Sequence, residues 1–212
     1  MYIKDLALMN FRNYENARIT FSDGINILYG DNAQGKTNIL EAIYVAGTTK
    51  SHRGSKDREM IRFGQEESHI RTDIRKDGMN RRIDMHLKKN RTKGIAIDLV
   101  PIHRSSELLG TMNMVFFSPE DLTIIKNSPV ERRNFMDMEL CQLDKIYVSE
   151  LAGYKKVLDQ RNNLLRQISF DKSKLDMLSV WNDQLVKYGI EIIKKRNHFI
   201  DLLNEIIPDI HK

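Results

Sequence analysis

One stretch, residues 25–47, INILYGDNAQGKTNILEAIYVAG, limits the fold of this chain more than any other. An apolar run, a loop bounded by glycines and a helical pattern follow one another without a break, which is the layout of a strand–loop–helix unit. In GDNAQGKT, Gly30 and Gly35 allow a tight turn, so the N–H groups of Asp31, Asn32, Ala33 and Gln34 can converge on phosphate oxygens. Lys36 can then reach the β- and γ-phosphates of a nucleotide, and Thr37 can ligand Mg²⁺. INILY reads as a buried strand, and residues 36–46 read as a helix closed by Gly47. The anion would lie on a helix N-terminus, where the dipole and unpaired N–H groups favour it.

The surroundings of this unit read as α/β. Strands are expected at YIKDLALM and ARITF, and an Asp23-Gly24 turn leads into INILY. After the helix, Ile70, Thr72 and Ile74, then Ile83, Met85 and Leu87, then Ile95, Ile97 and Leu99 alternate onto one face, with turns at KDGMN and KNRTK. That pattern predicts an antiparallel meander. Residues 71–93 hold nine basic side chains against three acidic ones, enough to account for the whole formal net charge of +5. Arg71, Arg75, Arg82 and Lys88 fall on the outward positions, so a basic sheet face with Arg82, Lys88 and Lys89 is the expected platform for nucleic-acid phosphates.

Beyond Phe117 the pattern turns helical. SPEDLTIIK opens with Ser118 as a cap, Pro119 at the first helical position and acids in the first turn. Tyr147, Leu151, Tyr154, Leu158, Leu165 and Ile168 form one seam, interrupted at Arg161; Leu178, Trp181, Leu185, Tyr188, Ile192, Phe199, Leu202 and Ile206 form another, interrupted at Lys195. SFDKSKL would be the turn between them, and spacing alone leaves a bundle core and a projecting arm equally open. The lone Cys141 sits in a helical pattern and reads as core packing. His52 has no histidine or cysteine beside it at metal spacing and reads as a polar loop residue. No apolar stretch reaches membrane-span length and the first residues lack a secretory-signal layout, so a cytoplasmic protein without a membrane partner is expected.

Nucleotide hydrolysis requires an acid after an apolar strand to organise water and Mg²⁺. Asp98 in GIAIDLV is the local candidate, but Leu99 stands where a second acid is wanted, and the meander accounts for Asp98 as a structural residue. No two glycines are adjacent, and neither NKxD nor DxxG occurs. The chain is therefore expected to bind a nucleotide without turning it over. A free-standing P-loop phosphotransferase with a helical lid is the rival reading.

Three stretches together resemble the RecF family of bacterial recombinational repair proteins, relatives of the SMC and Rad50 ATPases: LALMNFRNYENARITF with GINILYGDNAQGKTNILEAIY, then KSHRGSKDREMIRFG, then SPEDLTIIKNSPVERRNFMDMEL. The resemblance implies the first part of an ABC-type ATPase lobe in residues 1–117 and a helical second lobe with a helix hairpin in residues 118–212. The implied protein binds ATP and Mg²⁺, closes as an ATP-dependent homodimer on single-stranded or gapped duplex DNA, and works with RecR and RecO in repair, replication restart and SOS induction.

The resemblance also places Arg12 and Asn13 of FRNY beside the nucleotide, and Ser118, Pro119 and Glu120 where relatives carry a glutamine loop. Arg132 and Arg133 are expected to tie the helical lobe through Glu131 and Asp137. Asn127 stands where the family usually has glycine, and the family's SGG signature and Walker B aspartates are not among these 212 residues, so no catalytic residue is expected within the chain. It reads as the N-terminal portion of a longer, weakly hydrolysing ATPase.

Overall fold

A computed structural model describes residues 1–122, 124 and 128–210, which leaves Asn127 outside the described residues. The chain divides into two compact units, Met1–Phe116 and Phe117–Lys212.

Alternation of apolar and polar residues builds the first unit as a six-stranded antiparallel sheet. Its strands are β1 (Tyr2–Phe11), β2 (Tyr14–Thr20), β3 (Glu67–Lys76), β4 (Met79–Lys88), β5 (Gly94–Ile97) and β6 (Val100–Pro101), in the order β2-β1-β3-β4-β5-β6. The register sets Leu8 opposite Ile70 and Ile70 opposite Met85, which puts the apolar residues of successive strands on one face. Leu6, Ile74, Ile83 and Leu87 are fully buried there. Burial of each such side chain contributes about 1.5–3 kcal/mol. The β3–β4 turn uses Asp77 and Gly78 at φ 51° and 78°, the left-handed pair that a two-residue hairpin requires.

Helix α1 (Lys36–Thr48) covers the apolar face with Ile39, Ala42, Val45 and Ala46, and α2 (Asp57–Met60) adds Met60. Three expectations change here. Gly47 does not end α1 but lies inside it, with the Met114 side chain packed against the helix where a Cβ would stand. The helix closes instead at Thr49, whose φ of 69° is left-handed and whose N–H donates to the Val45 carbonyl. Leu99 does not continue the β5 face: with Asp98 it forms the tight turn into β6, and it is 68% exposed.

The third change concerns INILY, which is not a strand in this chain. A parallel core strand needs hydrogen-bonded neighbours and apolar cover on both faces, and none of the six strands pairs with it among the described residues. Ile25 and Tyr29 are each 91% exposed, and of this run Leu28 packs against the core.

The second unit is helical: α3 (Pro129–Leu143), α4 (Lys145–Ile168) and α5 (Met177–Ile210), with a short 3₁₀ turn at Pro119–Leu122 and another at Lys172–Lys174. The first turn is tied by Asp121, whose Oδ2 accepts the Ser118 N–H and hydroxyl at 2.6 and 3.0 Å, so the acid reaches back to Ser118 where the serine oxygen was expected to cap forward. Helices α4 and α5 form the expected hairpin, with SFDKSKL in the turn. The seam differs in detail, since Val157 and Leu164 are buried where Leu158 and Leu165 were expected. Its interruptions are polar ties: Arg161 donates to Asn182 Oδ1 at 2.7 Å, and Lys195 Nζ lies 2.8 Å from Asp144 and 3.0 Å from Glu150. Gly153 is required on α4 because a Cβ there would meet the Tyr188 ring at 2.6 Å.

Asp137 is not bound to Arg132 or Arg133. It receives two nitrogens of Arg196 and the Tyr147 hydroxyl, which link α3 to α5 and α4, while Arg132 donates to the Ile124 carbonyl. Arg133 lies one turn from Asp137 on the same helix, whereas Arg196 meets the carboxylate from a facing helix with the bidentate geometry it favours. Cys141 is buried, as its helical position implies.

Candidate functional site

The loop of residues 30–37 runs onto the N-terminus of α1, where the first N–H groups of a helix have no intrahelical carbonyl. Gly30 (φ 135°), Ala33 (φ 63°) and Gly35 (φ 103°) take left-handed conformations that curl the loop around this terminus. Lys36 turns its ammonium back onto the loop and donates to the carbonyls of Gly30 and Asp31 at 2.7 and 2.6 Å. Those contacts hold a positive charge at the mouth of the loop. Asp31, Asn32, Ala33, Gln34 and Thr37 are all exposed around it.

Behind the loop stands a polar buttress. Asn13 donates to the Gln34 carbonyl at 3.2 Å and accepts from Asn38 Nδ2 at 2.8 Å, and Asn38 in turn accepts from Arg53 at 3.2 Å. The Tyr14 hydroxyl also reaches the Gln34 carbonyl. Gly35 is pressed so closely on this layer that a Cβ would lie 2.7 Å from the Asn13 amide. Asn13 thus shapes the loop from behind.

Arg12 lies one layer deeper. Its guanidinium takes both oxygens of Glu41, at 2.8 and 2.6 Å, and also donates to Ser55 Oγ and to the Glu59 carbonyl. Glu41 is fully buried on α1, where Ser51 Oγ donates to it at 2.5 Å and Arg53 lies 3.7 Å away. Burial alone would raise the Glu41 pKa. Hydrogen bonds from Arg12 and Ser51, with the charges of Arg12 and Arg53, outweigh it and hold the carboxyl below its ordinary value. FRNY, the phosphate-loop helix and KSHRG therefore meet on one carboxylate.

Glu41, Ser51 and Arg53 are the residues that sequence reasoning missed. The available signal was a glutamate among the core-facing residues Ile39, Ala42 and Val45, which a helix buries only with a cation to pair it. His52 from the same segment packs its ring against Tyr44 and Phe116, with centroids 5.6 and 4.4 Å away.

The outer face of the sheet carries mixed charge. Arg82 makes a bidentate pair with Asp84 at 2.7 and 2.8 Å, Arg71 pairs with Asp73 at 3.1 Å and Lys89 with Glu66 at 2.7 Å. Lys76 and Lys93 are turned inward to Gly110, Asn113, Thr49 and Asp57. The basic excess of residues 71–93 is thereby largely matched by acids within and beside it, and among the described residues Lys88 is the outward cation of β4 without such a pair. Asp98 accepts the Arg82 N–H and pairs with Arg81 at 2.6 Å; the backbone bond first, then the Arg81 contact, holds its pKa down. Its carboxylate is a structural part of the β5–β6 turn.

Comparison with known proteins follows the same residues. Positions 5–210 match the family described as AAA domain. The chain is 61% identical over its whole length to the DNA replication and repair protein RecF of Lachnoclostridium phytofermentans, and covers 59% of that protein. The chain belongs to the RecF family. A solved structure described as the recombination mediator protein RecF-ATP in the RecFOR pathway superposes with a TM-score of 0.92 at 37% identity, over 95% of this chain and 54% of that one. An SMC ATPase structure at 23% identity gives a TM-score of 0.51 over 65% of this chain, a likeness of fold. The fold, a six-stranded antiparallel sheet followed by helices, is accordingly that of a P-loop ABC-type ATPase lobe. The chain spans somewhat over half the length of these relatives. Among the described residues no helix is long and apolar enough to cross a membrane.

Proposed function

We propose that this chain is the nucleotide-holding portion of an ATP-controlled DNA-binding clamp in recombinational repair. The observation that carries the reading is the loop itself: a lysine ammonium held at the mouth of a left-handed turn on a helix N-terminus, in a chain whose relatives are named RecF. The site suits the phosphates of ATP. Gly30 leaves open space where a side chain would stand, and Lys36 would exchange two neutral carbonyls for phosphate oxygens, which form stronger, charge-assisted bonds. Thr37, exposed on the first turn of α1, would supply its hydroxyl to Mg²⁺. Asn13 would keep the loop in shape, and Arg12 would act through Glu41 and not on the nucleotide directly.

In the longer protein, the exposed run of residues 25–29 would gain the neighbouring strands it lacks here, and a weak ATPase activity would belong to the closed homodimer. DNA, single-stranded or gapped, is the proposed partner, with RecR and RecO, in repair, replication restart and SOS induction. Arg82, Lys88 and Lys89 are the proposed phosphate contacts. Exposed ion pairs contribute about 0–1 kcal/mol, so a DNA phosphate can displace Asp84 from Arg82 or Glu66 from Lys89 at small cost.

The deciding experiment is calorimetric titration of ATP with Mg²⁺ into the unaltered chain and into Lys36→Ala. Saturable binding that the substitution weakens at least about tenfold is expected, because one charge-assisted contact of about 1.5–3 kcal/mol is lost. Equal affinities would refute the phosphate assignment. A steady turnover rate in this chain, abolished by Lys36→Ala, would favour the phosphotransferase reading instead.

A further inference from the structure

On the same outer face as the paired arginines, β3 and β4 bring together a group of side chains that nucleotide binding does not use. His69 and His86 are directly opposed in the register, and their rings stack with centroids 3.9 Å apart and an interplanar angle of 23°. Glu67 precedes His69 by two residues on the same strand, so the period of two puts its carboxylate on the same outward face. One oxygen of Glu67 lies 2.8 Å from His86 Nε2, and the other lies 3.9 Å from His69 Nε2. One ligand atom from each residue falls within a span of 4.8 Å. All three side chains are partly open to solvent, so the group can be reached from outside.

We infer that Glu67, His69 and His86 form a binding site for a divalent first-row transition ion, of which Zn²⁺ is the reference case. Two imidazoles and one carboxylate are a donor set that Zn²⁺ takes, with a fourth position left for water. Ligand distances of about 2.0–2.1 Å around a tetrahedral ion place the donor atoms roughly 3.3 Å from one another. The separations present, 2.8 and 3.9 Å to Glu67 and none beyond 4.8 Å, bracket that value, so side-chain rotation suffices and the strands need not move.

Lys88, opposite Glu67 in the register, and Arg71, two residues beyond His69, add positive charge nearby and moderate the affinity. The ion would clip β3 to β4 and make the outer sheet face more positive.

The test is titration of ZnCl₂ into the metal-free chain, with any purification tag removed, followed calorimetrically and by the visible absorption of the Co²⁺ form. One ion per chain is expected, with a raised thermal midpoint, since a ligand that binds the folded state stabilises it. His69→Gln and His86→Gln should each weaken binding at least about tenfold. His103→Gln, a substitution elsewhere on the chain, should leave it unchanged. Two-dimensional NMR of the unaltered chain gives an answer that does not depend on any variant folding: the imidazole resonances of His69 and His86 should shift together. Binding that survives the His69→Gln, His86→Gln double substitution overturns the assignment, as does the absence of saturable uptake by the unaltered chain.

Discussion

The guanidinium of Arg12 holds both oxygens of Glu41 across 29 residues of sequence, and Glu41 has no exposure to water. Arg12 itself takes a left-handed φ of 53°, at the point where β1 turns toward β2. The strained residue of FRNY and the buried acid of the phosphate-loop helix thus fix one another. Removing one partner of a buried pair leaves an uncompensated charge, which costs about 3–5 kcal/mol. Arg12→Ala should therefore lower the stability of the chain by roughly 3 kcal/mol in urea unfolding. Arg12→Lys should recover only part of the loss, since an ammonium cannot span both oxygens. A change within about 0.5 kcal/mol, as for an ordinary surface substitution, would show that the pair does not hold the loop helix.

The same carboxylate makes stability depend on pH in a definite direction. Its folded pKa is held below the ordinary value of 4.5, so its contribution is present above that value and lost as pH falls through the depressed folded pKa. The difference in unfolding free energy between the unaltered chain and Glu41→Gln should be constant near neutrality and shrink below about pH 4.5 as the acid is protonated. A difference that stays the same down to pH 3 would assign the acid sensitivity to other carboxylates.

Much of this arrangement could be read from the sequence because strong local rules govern it. The alternation at Ile70 to Ile74 and Ile83 to Leu87, the Asp77-Gly78 turn and the glycine-bounded loop each depend on residues close in the chain. What escaped depends on partners far away. INILY carries the composition of a core strand, yet a strand exists only when something pairs with it. Val157 and Leu164 displace Leu158 and Leu165 because the facing helix chooses among adjacent apolar residues. The nine basic residues of 71–93 read as one positive patch, because Glu66, Asp57 and Asp98, which neutralise Lys89, Lys93 and Arg81, fall outside that window or across a turn from it.

Gly35 tests the loop from its inner side. At φ 103° a side chain is strained, and the added Cβ would press on the amide of Asn13 and the hydroxyl of Tyr14. Gly35→Ala should leave the sheet folded but disturb the turn that presents Lys36, weakening ATP binding as severely as Lys36→Ala. Circular dichroism should stay unchanged while calorimetric affinity falls at least about tenfold, the scale of one misaligned charge-assisted contact. Full affinity would mean that the left-handed turn is not needed to hold phosphate.

In the helical unit, Arg196 and Asp137 are both largely buried and bonded in two places, and Tyr147 adds its hydroxyl. Burial first, then the neighbouring Asp137, pushes the Tyr147 pKa above its ordinary value, so the ring stays a neutral donor across the usable pH range. Arg196→Met should cost about 3 kcal/mol by stranding Asp137. Adding Asp137→Leu to it should restore much of the loss, because an apolar pair no longer leaves a buried charge. If the two losses simply add, the contact is not a coupled pair.

The proposed DNA contact on the outer sheet face can be tested through its salt dependence. Each phosphate neutralised by a lysine or arginine releases counterions, so affinity falls with salt at a slope set by the number of such contacts. Among the described residues Lys88 has no ion pair, so it would take a phosphate directly, whereas Arg82 and Lys89 would first leave Asp84 and Glu66. Lys88→Glu alone should therefore weaken binding of the full-length protein to labelled gapped DNA more than Lys89→Glu does. The triple change of Arg82, Lys88 and Lys89 to Glu should flatten the salt slope by roughly two to three contacts. The loss should be uniform across sequences, since these side chains would read backbone charge and not base edges. Asp84→Asn supplies the opposite sign: freeing Arg82 from its partner should tighten DNA binding and steepen the slope. Identical slopes for all these variants would remove the sheet face from the DNA path and move the contact to the helical unit.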